Sequence, residues 1–336
     1  MAIKLKPLIK VTSPSFSKNP LLAKELKCLP IRVILNTSGK RYKGQSLVNY
    51  LADADGAIIG LESVDAGLLD KCTRLKIISK YGVGIDNIDL DACRDRGVAI
   101  GWTPGVNKRS VSEMVMGQMI SLSRNLFTHS ALLRSGEWQK DGGRLFSERT
   151  VGIIGMGHIG QDLVKLLHPF GCKLLGNDIQ DRSIFACKHG VKLVSKEEIF
   201  YKSDIVTIHV PLTPVTRQLV NSRTLELMHD QAFLINTSRG SVVDQAALKK
   251  ALINGTIAGA AIDVFEREPP TDIEFLKLPN LIPTPHLSGN SYEAILAMGR
   301  SSIKHIEEKL NEHQSIICSN DGRTRQLAVK TYSFCI

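Results

Sequence analysis

From Leu8 to about residue 100 the chain alternates short apolar runs with stretches of helical period. Leu8 to Val11, Ile31 to Leu35, Gly56 to Gly60 and Leu75 to Ser79 read as strands, while Leu21 to Lys27, Gly44 to Ala52 and Ala66 to Lys71 read as helices. Apolar strands that alternate with helices predict a parallel sheet covered by those helices. The pattern breaks near Gly101 to Pro104, and a long helix over about 108–127 follows. Its start, Ser110-Val111-Ser112-Glu113, has the form of a capping box, and Val111, Met114, Val115, Met119 and Leu122 make one apolar stripe, read as core or subunit packing.

A second series begins at Val151-Gly152-Ile153-Ile154. This apolar run breaks into Gly155-Met156-Gly157-His158-Ile159-Gly160, after which Ile159, Leu163, Val164 and Leu167 recur at helical spacing. Strand, tight turn and helix in that order, with glycines at these spacings, form a dinucleotide fingerprint. The first glycine allows the turn, the second lets a pyrophosphate approach the backbone, and the third lets helix and strand pack closely. Lys173 to Asp178 reads as the next strand, and Asp178 stands about 20 residues past the glycines, where a carboxylate accepts from an adenosine ribose and disfavours a 2′-phosphate. Further strands are predicted over 204–210, 232–237 and 257–265, with a helix over 244–253 stopped by Asn254-Gly255. A last long helix starts at Asn290-Ser291-Tyr292-Glu293 and is expected to return to the first domain; the tail from about Ser315 has no sustained period and is expected to be loosely ordered.

The predicted fold class is therefore α/β and two-lobed. A parallel-sheet substrate-binding domain, residues 1–102 and 289–336, carries an inserted doubly wound Rossmann domain, residues 103–288, that binds the dinucleotide. A length of 336 residues fits two such domains.

Composition adds little beyond this frame. A 43% hydrophobic fraction, with no apolar run long enough to span a membrane and no signal-peptide pattern after the basic MAIKLKPLIK, leaves a cytoplasmic protein as the expectation. The seven cysteines are odd in number and none are spaced as CxxC, so neither a disulfide framework nor a metal site is expected. The net charge of +10 is local, because residues 1–50 hold ten Lys or Arg and one acid, Glu25. These cations are scattered among apolar residues without interleaved aromatics. A solvated face is the reading, and nucleic acid is not an expected partner.

Arg239, Glu268 and His286 stand at or just after the carboxyl ends of successive predicted strands, which in an open parallel sheet line the ligand crevice. Reduction of a 2-oxo acid needs this set. A planar cation grips the carboxylate, an imidazole gives a proton to the forming alkoxide, and a carboxylate orients that imidazole.

The chain resembles the D-isomer-specific 2-hydroxyacid dehydrogenases, and within them the phosphoglycerate dehydrogenase branch, through KYGVGIDNIDL, TPGVNKRSVSE, GIIGMGHIG, HVPLTPVT, INTSRGSVVD, AIDVFEREP and TPHLSGN. The resemblance implies NAD as cofactor, a homodimer built around the long helix and the loop to Arg149, and His286 as the acid/base paired with Glu268. It implies cofactor contacts from Gly155, Gly157, His158, Ile159, Gly160, Asp178, Val210, Pro211, Thr237, Ser238, Asp263 and Val83, with Asp263 near the nicotinamide amide. Arg239, the backbone of Val83 and Gly84, and Asn107 would hold substrate. Where that branch commonly has a phosphate-binding Arg, this chain has Leu61-Glu62; Lys80 stands where the branch has a second cation. Interconversion of 3-phosphoglycerate and 3-phosphohydroxypyruvate is the first expectation. Reduction of glyoxylate, hydroxypyruvate or phosphonopyruvate, and an NAD-sensing corepressor-like scaffold, stay open beside it.

Overall fold

A computed structural model describes residues 6–318, the side chains of 312–318 excepted. The chain divides into two compact units, one formed by the chain up to Gly82, Asn87–Trp102 and the part from Gly299 on, the other by Val83–Asp86 and Thr103–Met298. Among the described residues no helix is long and apolar enough to cross a membrane.

In the first unit, β1 (Leu8–Val11), β2 (Arg32–Ile34), β3 (Gly56–Ile59), β4 (Ile77–Lys80) and β5 (Ala99–Gly101) form one sheet in the order β2-β1-β3-β4-β5, every pair parallel. The three inner strands are buried along their whole length, which is why Ile58-Ile59 and Ile77-Ile78 carry apolar side chains toward both faces. The helix Tyr292–Cys318 supplies the closing layer from residue 299 on. Ser302 Oγ donates to the Lys80 carbonyl and Ser79 Oγ donates to the Ser302 carbonyl, at 2.8 and 2.9 Å. A Cβ on Gly101 would lie 2.4 Å from His305 Cβ, so helix and strand meet at a distance only glycine permits.

The second unit holds β6 (Thr150–Ile154), β7 (Lys173–Asn177), β8 (Val191–Leu193), β9 (Ile205–Ile208), β10 (Phe233–Asn236), β11 (Gly259–Ile262) and β12 (Leu281–Pro283), in the order β12-β11-β10-β9-β6-β7-β8, all parallel. Successive residues serve opposite faces. Leu234 and Ala260 pack with the helices Ser222–Glu226 and Gln245–Ile253, whereas Ile235 and Ala261 pack with Lys108–Ser123 and His158–Leu167. The strand order reverses between β6 and β9, the topological switch point at which doubly wound sheets take their ligands.

Several expectations need correction. The helix expected over about 108–127 starts at Lys108 with Asn107 as cap and ends at Ser123; Asn125 turns left-handed (φ 52°), and a second helix runs from Leu126 to Arg134. The capping-box pattern at Ser110 misled because Ser110 lies inside the first turn. Its hydroxyl donates to the Ser288 carbonyl at 2.7 Å and accepts from Ser291 N–H at 3.1 Å. That pair, with Asn107 against Gly289, ties residues 289–298 to the second unit. The short strands β5, β8 and β12 lack a readable period. Of the tail from Ser315, helix continues to Cys318 and the rest lies outside the described residues.

Candidate active site

The glycine turn after β6 has the geometry its spacing implies. Gly155 has φ +94°, and a Cβ there would meet the His209 carbonyl oxygen at 2.5 Å; a Cβ on Gly160 would lie 2.2 Å from the Gly155 oxygen. Gly157, the N-cap of the helix His158–Leu167, has nothing within 4 Å of its Cβ position and no side chain caps that helix start. Free N–H groups at a helix start, next to open space, suit a diphosphate. His158 is exposed, with its ring packed over Gly105, and Ile159 is half-buried against the core.

Asp178, one residue past β7, braces this turn. Its Oδ2 accepts from Met156 N–H at 2.7 Å and its Oδ1 from Gln180 N–H at 2.8 Å, while Arg182 Nε stands 3.4 Å from Oδ2. A carboxylate has about four acceptor sites, so ribose hydroxyls can still be accommodated. On the other side of the switch point, Val210 borders Gly155 and Pro211 is exposed, its carbonyl taking Thr216 Oγ1 at 2.6 Å.

The loop after β10 is built by a residue that sequence reading passed over. Asn236, fully buried, accepts from Ser238 N–H and Oγ on its Oδ1 and donates through Nδ2 to the Arg239 carbonyl. This turns Thr237 inward, where its Oγ1 is buried with no protein partner, and presents Arg239. The Arg239 guanidinium lies on Gly84, where a Cβ would fall 1.7 Å from Nη2. Gly240 packs on the peptide after β11: a Cβ there would be 1.9 Å from the Phe265 carbonyl carbon, so the Arg239 loop and the Glu268 loop are in direct contact. Asn236 carries the signal of a polar residue ending an apolar strand; Gly240 carries none.

His286 and Glu268 meet directly. Glu268 Oε2 is 2.8 Å from His286 Nδ1, and Glu268 Oε1 accepts from Phe265 N–H at 3.2 Å. With Nδ1–H donating to the carboxylate, Nε2 is left to exchange a proton with a ligand. His286 has φ +52°, a conformation a non-glycine residue keeps only where its surroundings impose it. The restraint is Asp263, whose carbonyl accepts from His286 N–H, whose Oδ1 accepts from Thr284 Oγ1 and Leu287 N–H, and whose Oδ2 accepts from Ser288 N–H. Asp263, expected beside the nicotinamide amide, is 1% exposed and commits its carboxylate to shaping the His286 loop. Asn107 keeps a buried Oδ1 with no protein partner.

Lys80 is placed otherwise than expected. It belongs to the first unit, is 4% exposed, and donates through Nζ to the Gly60 carbonyl and to Asn87 Oδ1. Glu62, also buried, accepts through Oε2 from Gly60 N–H and Thr12 Oγ1, each at 2.8 Å. Both charges order the turn after β3. Val83 and Gly84 fall in the second unit with Arg239.

Comparison with known proteins places the chain in a family. Residues 116–288 match the D-isomer specific 2-hydroxyacid dehydrogenase, NAD binding domain. The chain is 37% identical over 271 residues to a D-3-phosphoglycerate dehydrogenase of Methanocaldococcus jannaschii, covering 79% of this chain but 52% of that protein. It is 30% identical over 298 residues to a hydroxypyruvate reductase of Thermotoga maritima, covering 87% of this chain and 96% of the relative. A D-lactate dehydrogenase of Aquifex aeolicus, solved with NAD and lactic acid, superposes with a TM-score of 0.80 at 26% identity over 93% of this chain and 98% of that one.

Proposed function

Since the chain belongs to the D-isomer specific 2-hydroxyacid dehydrogenases, a family of NAD-dependent oxidoreductases, we propose that it reduces a short 2-oxo acid without a phosphate group, or oxidises the matching 2-hydroxy acid. The observation that carries the choice of substrate is the burial of Lys80 and Glu62. The cation offered for a distal phosphate is engaged by Gly60 and Asn87, and where the resemblance implies a phosphate-binding arginine the chain has Leu61 and a buried Glu62.

The second unit is the NAD-binding domain in this reading and the first the substrate domain. The open start of the helix His158–Leu167 holds the diphosphate, Asp178 the adenosine ribose, and Thr237 Oγ1 offers a polar contact at the turn after β10. When bound, the nicotinamide supplies or accepts the hydride. Arg239, seated on Gly84, grips the substrate carboxylate beside the Val83–Gly84 backbone and orients the ketone. His286 Nε2 gives the proton to the ketone oxygen in reduction and takes it back in oxidation, while Glu268 accepts from Nδ1–H and fixes the ring's orientation. Asp263 keeps the imidazole in place by holding the three backbone N–H groups of 286–288.

A homodimer is part of the proposal. The helix Leu126–Arg134 buries none of its residues, and Leu126, Phe127, Leu133, Trp138 and Leu145 are exposed around it. Sedimentation of the protein at micromolar concentration as a monomer would contradict it.

The substrate is tested by NADH oxidation with glyoxylate, hydroxypyruvate, hydroxypyruvate 3-phosphate, pyruvate and phosphonopyruvate. The expected outcome is a higher kcat/KM for an unphosphorylated acid than for its phosphorylated or phosphonylated counterpart. A clear preference for the 3-phosphate would overturn the substrate choice and leave the dehydrogenase assignment intact. Binding of NADH without turnover of any 2-oxo acid would favour the scaffold instead.

A further inference from the structure

We infer that Asp86 is a positioning residue that competes with the substrate carboxylate for the Nε–Nη2 edge of Arg239. The inference rests on the reading of Arg239 as the carboxylate-binding cation. Nε and Nη2 of Arg239 both donate to a single oxygen, Asp86 Oδ1, at 3.2 and 2.7 Å, while Nη1 donates to the Ser238 carbonyl at 2.8 Å. The Nε–Nη2 edge, one of the two that can offer paired N–H bonds to a carboxylate, is thus the one that Asp86 holds, while Nη1 of the other edge is turned to Ser238; Asp86 holds it with one oxygen where an incoming carboxylate brings two.

The surroundings make this an exchangeable contact on a fixed base. The guanidinium lies against Gly84, the backbone that the same ligand would use, so a carboxylate arriving there meets Asp86 as a rival. The Asp86 and Arg239 side chains are 51% and 31% exposed, so water and salt screen the pair and a ligand can displace it. Arginine has a long, rotamer-rich side chain. The anion keeps it over Gly84 in a geometry close to the one it needs, then yields the edge.

The test uses oxamate, an unreactive 2-oxo acid analogue, titrated into the protein–NADH complex and followed by quenching of NADH fluorescence. Asp86→Asn keeps an acceptor oxygen but removes the charge. It should tighten oxamate binding about two- to fivefold, the range that an exposed ion pair spans, and leave NADH affinity unchanged. Asp86→Glu retains the competing anion on a longer arm and should bind oxamate within about twofold of the native protein. Asp86→Ser, checked for native near-ultraviolet circular dichroism, serves if the asparagine variant does not fold and should also bind oxamate more tightly. A residue that only shaped the loop would give the opposite sign, with oxamate and NADH both weakened. A folded Asp86→Asn or Asp86→Ser protein that binds oxamate no more tightly than native overturns the proposal. Arg239→Ala should abolish oxamate binding; if it does not, the assignment of Arg239 falls instead.

Discussion

The two parallel sheets end their inner strands in polar residues and use them in contrasting ways. At the ends of β1, β3 and β4 of the five-stranded sheet stand Thr12, Glu62 and Lys80, joined by Asn36 after β2: Asn36 donates to the Thr12 carbonyl, Glu62 accepts from Thr12 Oγ1, and Lys80 Nζ donates to the Gly60 carbonyl. After β6 and β10 of the seven-stranded sheet, polar groups lack protein side-chain partners, including an uncapped helix start and a buried Thr237 Oγ1. Asp86 and Arg239 there form a pair that is half open to water. A buried polar group must be satisfied by something. Where the protein satisfies it, the group holds the fold; at Thr237 Oγ1, in the proposed function, a ligand would satisfy it. On that proposal the first set serves stability and the second chemistry.

The largest effect expected on that division is at His286. His286→Gln should lower kcat by roughly 10²- to 10⁴-fold, the usual share of a general acid, with little change in NADH affinity or melting temperature; stopped-flow kinetics and a thermal melt check both. Lys80→Met tests the opposite half. Removing the ammonium that the Gly60 carbonyl and Asn87 Oδ1 accept from should destabilise the protein by about 1–3 kcal/mol, read from denaturant unfolding, while KM for an unphosphorylated acid stays within about twofold of native. A rise in KM confined to phosphorylated acids would return Lys80 to the substrate site.

Asp178→Ser is expected to have a smaller effect. It should narrow the preference for NADH over NADPH by about tenfold, since one carboxylate's hydrogen bonds and repulsion are worth roughly 1–2 kcal/mol. Arg182, already 3.4 Å from that carboxylate, is placed to meet a 2′-phosphate once the carboxylate is gone. A native protein that prefers NADPH in initial-rate kinetics would contradict the assignment of Asp178.

A pH dependence is also expected from the turn after β9. Burial lowers the His209 imidazole from its ordinary 6.5 to about 4. Its Nε2 is 3.0 Å from Thr207 Oγ1 and its Nδ1 is shut away without a partner. Between those two values the unfolded chain binds a proton that the native chain does not, so stability should fall as pH drops from about 6.5 to about 4. His209→Asn should flatten that limb of a melting-temperature profile, and an unchanged slope would show that other groups govern it.

Much of the second unit was legible in sequence because its signals are local. The glycine spacing, the acid after the next strand and the polar residues closing each apolar run depend on near neighbours, and Glu268 and His286 do meet at 2.8 Å. What escaped depends on contacts between distant segments. Ser110 has a capping pattern but bonds to Ser288 and Ser291. Gly240 is an ordinary loop glycine until Phe265 is laid against it, and Asp86 reads as a loop charge until Arg239 reaches it. Lys80 has a similar history: the resemblance offers it as a cation beside the substrate, and only the fold shows the Gly60 carbonyl and Asn87 Oδ1 accepting from its ammonium.

The hydroxyl of Ser302 that completes β4 sits 222 residues beyond its partner Lys80. On the ribosome this separation becomes time. At about 5–20 residues per second, the strands of the first sheet are synthesised on the order of 10–45 s before the helix that covers them exists. The inserted unit, by contrast, is complete once residue 298 has emerged. The nascent chain thus carries a finished second unit and a sheet whose Ser79–Gly101 face is still open, so that face stays exposed to chaperones and to aggregation until residues 299–318 have been translated.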